Sequence, residues 1–123
     1  MPTIRIEGLS DDGYDINHLL TRCTEAAASA LDIPKDWVWA LFRTVEPGCY
    51  VEGENAWQGS EVKQATLLVS IVALEGRSAE LKASLLEAVA TTVSEVTGVI
   101  LEKVFVEYRD IPKGQAFSGG MVV

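Results

Sequence analysis

Residues 65–120 read ATLLVSIVALEGRSAELKASLLEAVATTVSEVTGVILEKVFVEYRDIPKGQAFSGG, and the order of hydrophobic periods within them decides the fold. The first ten residues, 65–74, are branched and apolar enough to form a strand buried on both faces. Behind Gly76 and Ser78 the period changes, and Leu81, Leu85, Val89, Val93 and Val96 recur at helical spacing. KVFVEYRDI, 103–111, returns to strand composition. Strand, helix and strand in that order make a βαβ unit.

The first half of the chain has the same order. Thr3, Ile4, Arg5 and Ile6 alternate as in a strand. Ile16, Leu19, Leu20, Cys23, Ala27, Ala30 and Leu31 form one stripe of a helix over 16–31, with Asp15 to cap it and Pro34 beyond its end. WVWALFRTV, 37–45, is a second strand. A shift of 66 residues lays Leu19 and Leu20 on Leu85 and Leu86, Val38 on Val104, Arg43 on Arg109, Gly48 on Gly114 and Gly53 on Gly119. Two tandem βαβ units with right-handed crossovers predict an α+β fold, a four-stranded mixed sheet with two helices on one face. The expectation is a single domain over 1–123, with repeat 1 at about 2–53, a linker at about 54–64 and repeat 2 at about 65–120. The polar, turn-rich segment 46–64 has no core of its own and reads as a surface connection with room for a short hairpin.

Trp39, Leu41 and Phe105 alternate away from the helix-covered side, leaving a second apolar face that other subunits are expected to cover. Net charge −8 and a pI near 4.5 exclude a sequence-independent nucleic-acid binder and disfavour an anionic membrane surface. An anionic small molecule must therefore be held by a local cation. No apolar run reaches a membrane span and the start has no signal-peptide core, so the expected localisation is cytoplasmic. In that compartment Cys23 and Cys49, which lack metal-like spacing, read as packing residues. His18 lies off the helical stripe and reads as a surface residue.

The segments LEGRSAELKASLLEAV and VFVEYRDIPKGQAFSGG resemble the 4-oxalocrotonate tautomerase family, whose short chains carry L-E-G-R-S before the helix and a K-G…G-G hairpin at the end. The whole chain resembles the fused, double-length members, similar to cis-3-chloroacrylic acid dehalogenase, malonate semialdehyde decarboxylase and 5-carboxymethyl-2-hydroxymuconate isomerase. The macrophage migration inhibitory factor group shares that architecture. The resemblance implies an amino-terminal proline freed by methionine removal, and Pro2 stands at that place. A secondary amine on a rigid ring shuttles a proton once burial and a nearby cation lower its pKa. By the 66-residue shift its counterpart in repeat 2 is Leu68, so one catalytic proline per chain is expected.

The resemblance also implies that Arg77 grips a substrate carboxylate, a bidentate task for which a guanidinium is shaped. The second arginine of the short enzymes falls on Phe105, whose repeat partner is Trp39, and their pocket phenylalanine falls on Tyr50 and Ala116, with Phe117 adjacent. With Trp39, Tyr50, Phe105, Glu107 and Phe117 as substrate-binding candidates, the pocket reads as more apolar than one built for a dicarboxylate. Glu107 reads equally as a second acid or base and as a partner of Arg43 or Arg109, while Asp36 reads as a turn residue one position from a decarboxylase carboxylate. The dehalogenase glutamate falls on Ser118, its second arginine on Leu74 and its histidine near Ala28. The resulting expectation is a tautomerase with no metal or organic cofactor, acting on a small-molecule carboxylate as a homotrimer. A decarboxylase, a dehalogenase or hydratase, and a non-catalytic trimeric binding module are the alternatives.

Overall fold

A computed structural model of the chain describes residues 1–9, 13–56 and 65–123. Its elements follow the order strand β1 (Thr3–Gly8), helix α1 (Ile16–Leu31), β2 (Trp39–Thr44), β3 (Val51–Glu52), β4 (Asn55–Ala56), β5 (Leu67–Leu74), α2 (Ala79–Thr97), β6 (Val104–Ile111), β7 (Phe117–Ser118) and β8 (Met121–Val122). The four long strands form one mixed sheet in the order β2-β1-β5-β6, parallel within each repeat and antiparallel where β1 meets β5. Two short hairpins, β3–β4 and β7–β8, stand apart from it.

The helices form where the sequence signals them. Asp15 caps α1 by accepting the His18 N–H, and Asp32 ends it in a left-handed conformation. Ser78 caps α2 by accepting the Leu81 N–H, and Gly98, also left-handed, ends it. The stripe Leu19, Cys23, Ala27 of α1 and the stripe Leu85, Val89, Val93 of α2 are buried against Ile4 and Ile6 of β1 and Leu67, Val69 and Ile71 of β5. Burial pushes the Cys23 thiol up to about 12, against an opposing pull from Arg22, so this cysteine is a neutral packing residue. Trp37, expected as the first strand residue, belongs to a 3₁₀ turn, Lys35–Trp37, and the exposed Asp36 lies in that turn.

The repeat extends into the segment expected to be a linker. Val51–Glu52 falls on Phe117–Ser118 and Asn55–Ala56 on Met121–Val122, again with a shift of 66 residues. The turn glycines agree in conformation as well, with φ 85° at Gly48 and 87° at Gly114, and 62° at Gly53 and 63° at Gly119. Residues 57–64, the rest of the expected linker, lie outside the described residues.

One expectation is corrected. Trp39 pairs with Thr3 and Phe105 with Leu68, so the first strands are related by a shift of 65 and the counterpart of Pro2 is Leu67, not Leu68. Because side chains alternate along a strand, the slip matters. Leu67 is buried under the helices while Leu68 is exposed on the opposite face. Arg5 pairs with Ser70, its own counterpart, at the centre of this internal two-fold relation.

The face away from the helices carries Trp39, Leu41, Leu68 and Phe105, each exposed by 37–53%. Between them stand Arg5, Glu7, Arg43, Glu107 and Arg109. Glu107 accepts from Nε of Arg109 at 2.6 Å, which makes Arg109 its ion-pair partner.

Candidate active site

The antiparallel pairing of β1 with β5 brings the start of the chain beside the end of β5, where Leu74, Glu75, Gly76 and Arg77 lead into α2. Pro2 is buried there, and its carbonyl accepts the Trp39 N–H at 3.0 Å. Trp39 is thus held next to Pro2 by the parallel pairing of β1 with β2. Arg77 is half-buried and donates from Nη1 to the Leu74 carbonyl at 3.4 Å. Among the described residues it has no carboxylate partner. Burial, and then the charge of Arg77, hold the amino group of Met1 below its ordinary value. The end of the chain and the guanidinium therefore share one electrostatic site, and an anion entering it would find Arg77 unpaired.

The β7–β8 hairpin borders this end. The Glu75 N–H donates to the Ile111 carbonyl at 3.0 Å, and the Glu75 carboxylate accepts the Lys113 N–H at 3.0 Å. The Gly114 N–H reaches a main-chain oxygen of Val123, and the Val123 N–H reaches the Ala116 carbonyl, each at 2.8 Å. Leu74, Glu75, Lys113 and Val123 line a cavity of about 410 Å³. Phe117, in β7, is 72% exposed.

The other candidates lie elsewhere in the chain. Phe105 begins β6 and is opposite Leu68, at the far end of β5 from Arg77, and Glu107 follows on the same face. Tyr50 also sits at the far end, where it packs with Val45 on Leu9 and Ala65. Within one chain the start of β1 meets Arg77, and the Trp39 backbone is bonded to Pro2, whereas Tyr50 and Phe105 lie at the far end.

At the far end the sequence reading missed a polar cluster. Glu52 accepts from the Tyr50 hydroxyl at 2.6 Å, from the Thr66 N–H at 3.0 Å and from the Lys103 ammonium at 3.0 Å. Burial alone would raise its carboxyl, but the hydrogen bonds from Thr66, Tyr50 and Lys103 outweigh that and bring it down to about 2. Burial and the adjacent Glu52 raise the Tyr50 phenol. A two-residue strand in a polar segment has no period to betray it. The one available signal was that Glu52 occupies the position of Ser118 in the other repeat.

Glu52→Gln is expected to cost about 1–3 kcal/mol near neutral pH, since three donors lose a charged acceptor. Because the folded carboxyl lies below the unfolded value near ~4.3, its stabilisation is complete above that value and vanishes as pH falls toward 2. Thermal melting of both proteins from pH 7 to pH 2.5 should show the gap between them closing. A gap independent of pH would contradict this role for Glu52.

No group of three or more His, Cys, Asp and Glu placed to hold a metal ion occurs among the described residues, and none of the described helices is long and apolar enough to cross a membrane. Residues 68–123 match the family model described as Tautomerase enzyme. No curated protein matches the chain. Among solved structures the chain is similar to a fused 4-OT wild-type symmetric trimer, with 27% identity, 98% of this chain and 94% of that one covered, and a TM-score of 0.78. It is also similar to Pt0534 inactivated by 2-oxo-3-pentynoate, with 24% identity, 98% and 93% coverage and a TM-score of 0.81. The fold alone is shared with a macrophage migration inhibitory factor homologue from Prochlorococcus marinus, at 17% identity, 98% and 97% coverage and a TM-score of 0.76.

Proposed function

We propose that the chain is a tautomerase-superfamily member in fused, double-length βαβ form and that it acts as a cofactor-independent keto–enol tautomerase on a small carboxylated enol or 2-oxo acid, a reading supported by the match of residues 68–123 to the Tautomerase enzyme model and by the likeness to a fused 4-OT. The observation that carries this reading is the meeting of the start of β1 with Arg77, which has no carboxylate partner among the described residues. With Met1 removed, the Pro2 nitrogen is a free amine in that site. It takes the enol O–H proton, and the resulting prolyl ammonium delivers a proton to the substrate carbon. Arg77 binds the carboxylate and stabilises the oxyanion that develops as the enol proton leaves. Trp39, beside Pro2, offers an aromatic wall where the short enzymes have a cation, which favours a monoacid.

The test compares ultraviolet-monitored ketonisation of phenylenolpyruvate and of 2-hydroxymuconate-like enols with halide release from 3-chloroacrylates, using Pro2→Ala as control. Ketonisation should dominate and be lost in the variant. Hydrolytic dehalogenation also needs a carboxylate to activate water, and Ser118 stands at that position. Dominant halide release that is lost in Pro2→Ala would replace this reading with the dehalogenase one.

The working form in this proposal is a homotrimer. The fused 4-OT relative is a symmetric trimer, and the exposed apolar residues of the open sheet face supply a surface to bury. Tyr50 or Phe105 would then reach Pro2 only from a neighbouring copy. Analytical ultracentrifugation should give a trimer mass, and a monomer at all concentrations would remove any pocket shared between subunits.

A further inference from the structure

We infer that the cavity beside Leu74 seats a neutral, aryl-sized arm of the bound carboxylate, and that Ala116 is the residue that leaves this space open. The internal two-fold relation makes the two ends of the molecule equivalent. At the far end the hairpin β3–β4 lays the Tyr50 ring on Leu9, Val45 and Ala65. The hydroxyl of that ring is pinned by Glu52, itself tied to Thr66 and Lys103. That end is filled.

The hairpin β7–β8 is the same device displaced by 66 residues, with matching glycine conformations at both turns. The counterparts of Val45, Tyr50 and Glu52 are Ile111, Ala116 and Ser118. The counterpart of Leu9, by the strand shift of 65, is Leu74. The second repeat therefore has a methyl group where the first has a phenol ring, and a short hydroxyl where the first has the carboxylate that pins it. Beside Leu74 there remains a cavity of about 410 Å³, within the usual range for a small-molecule site.

The walls define what fits. Leu74 and the Val123 side chain are apolar, and Glu75 and Lys113 contribute one charge of each sign. Arg77 donates to the carbonyl of Leu74, which places the anion anchor beside the same residue that walls the cavity. A molecule with its carboxylate on Arg77 has its substituent directed over Leu74. A second carboxylate there would meet Glu75, whereas an aryl ring replaces the contacts that Tyr50 makes at the other end.

That the bound carboxylate is a substrate rests on the tautomerase reading, so the experiment separates the two claims. Ala116→Tyr and the milder Ala116→Leu are compared with wild type in calorimetric binding of 3-phenylpropanoate. The same proteins are then assayed for ketonisation of phenylenolpyruvate and of the enol of 2-oxobutanoate. Ala116→Tyr should weaken 3-phenylpropanoate binding at least about tenfold and lower the ratio of kcat/KM for the aryl over the alkyl enol by a similar factor, with Ala116→Leu between. Unchanged binding and an unchanged ratio in both variants, or no binding of 3-phenylpropanoate to wild type, would overturn the inference. If wild type turns over neither enol, the tautomerase reading fails, and the binding series alone decides the cavity. Should Ala116→Tyr not fold, the leucine variant still gives the direction.

Discussion

Protein that retains Met1 is expected to ketonise enols at least about a hundredfold more slowly than protein beginning at Pro2, the lower end of the usual range for general acid–base catalysis. The reason is electronic. When Met1 is attached, the proline nitrogen is a tertiary amide with its lone pair delocalised into the carbonyl, and it can neither accept nor return a proton. Moving the base one residue outward does not repair this, because the Met1 amine stands a full residue away from the position of the Pro2 nitrogen. The field in which the base works is already visible at Met1, whose amino group burial and Arg77 hold below its ordinary value. A Pro2 amine in the same surroundings should be lowered in the same direction. Activity should then rise with pH through the lowered pKa and level off above it, and Arg77→Ala should move that inflection upward. Intact mass spectrometry on the assayed sample settles the form present. A mass that includes Met1, together with undiminished activity, ends the proline-base mechanism.

The sequence made the long elements legible because each carries many turns or alternations of its period. The stripe from Ile16 to Leu31 predicts the bounds of α1, and the apolar run 65–74 contains β5. Two features escaped for definite physical reasons. The one-residue slip that exchanges Leu67 for Leu68 as the counterpart of Pro2 falls on adjacent, chemically identical side chains, so only the strand pairing distinguishes them. The Tyr50–Glu52–Lys103 cluster joins residues far apart in the chain through a strand two residues long, and its donors Thr66 and Lys103 come from the other repeat. Arg77 was legible only through the resemblance. By composition it is one cation ahead of a helix, and its distinction, the want of a carboxylate partner among the described residues, is a fact of three-dimensional placement.

That placement makes Arg77 the second position of large expected effect. Arg77→Ala should lower kcat/KM for carboxylated enols by about 2–5 kcal/mol, or roughly thirtyfold to several thousandfold, because a carboxylate drawn into this site would be left without its bidentate partner. A neutral enol of similar size loses only the oxyanion contribution and should suffer less. Structural damage is a poor rival explanation, since the guanidinium makes a single 3.4 Å hydrogen bond to a backbone carbonyl and supports no ion pair among the described residues. Arg77→Lys separates charge from geometry: it keeps the cation and loses the planar fork, so it should recover part of the activity on carboxylated substrates. Stopped-flow ketonisation of a matched acid and its methyl ester gives the ratio directly. Equal losses for acid and ester in Arg77→Ala would mean that the guanidinium does not hold the carboxylate. The anion anchor would then have to be sought among cations brought by a neighbouring copy.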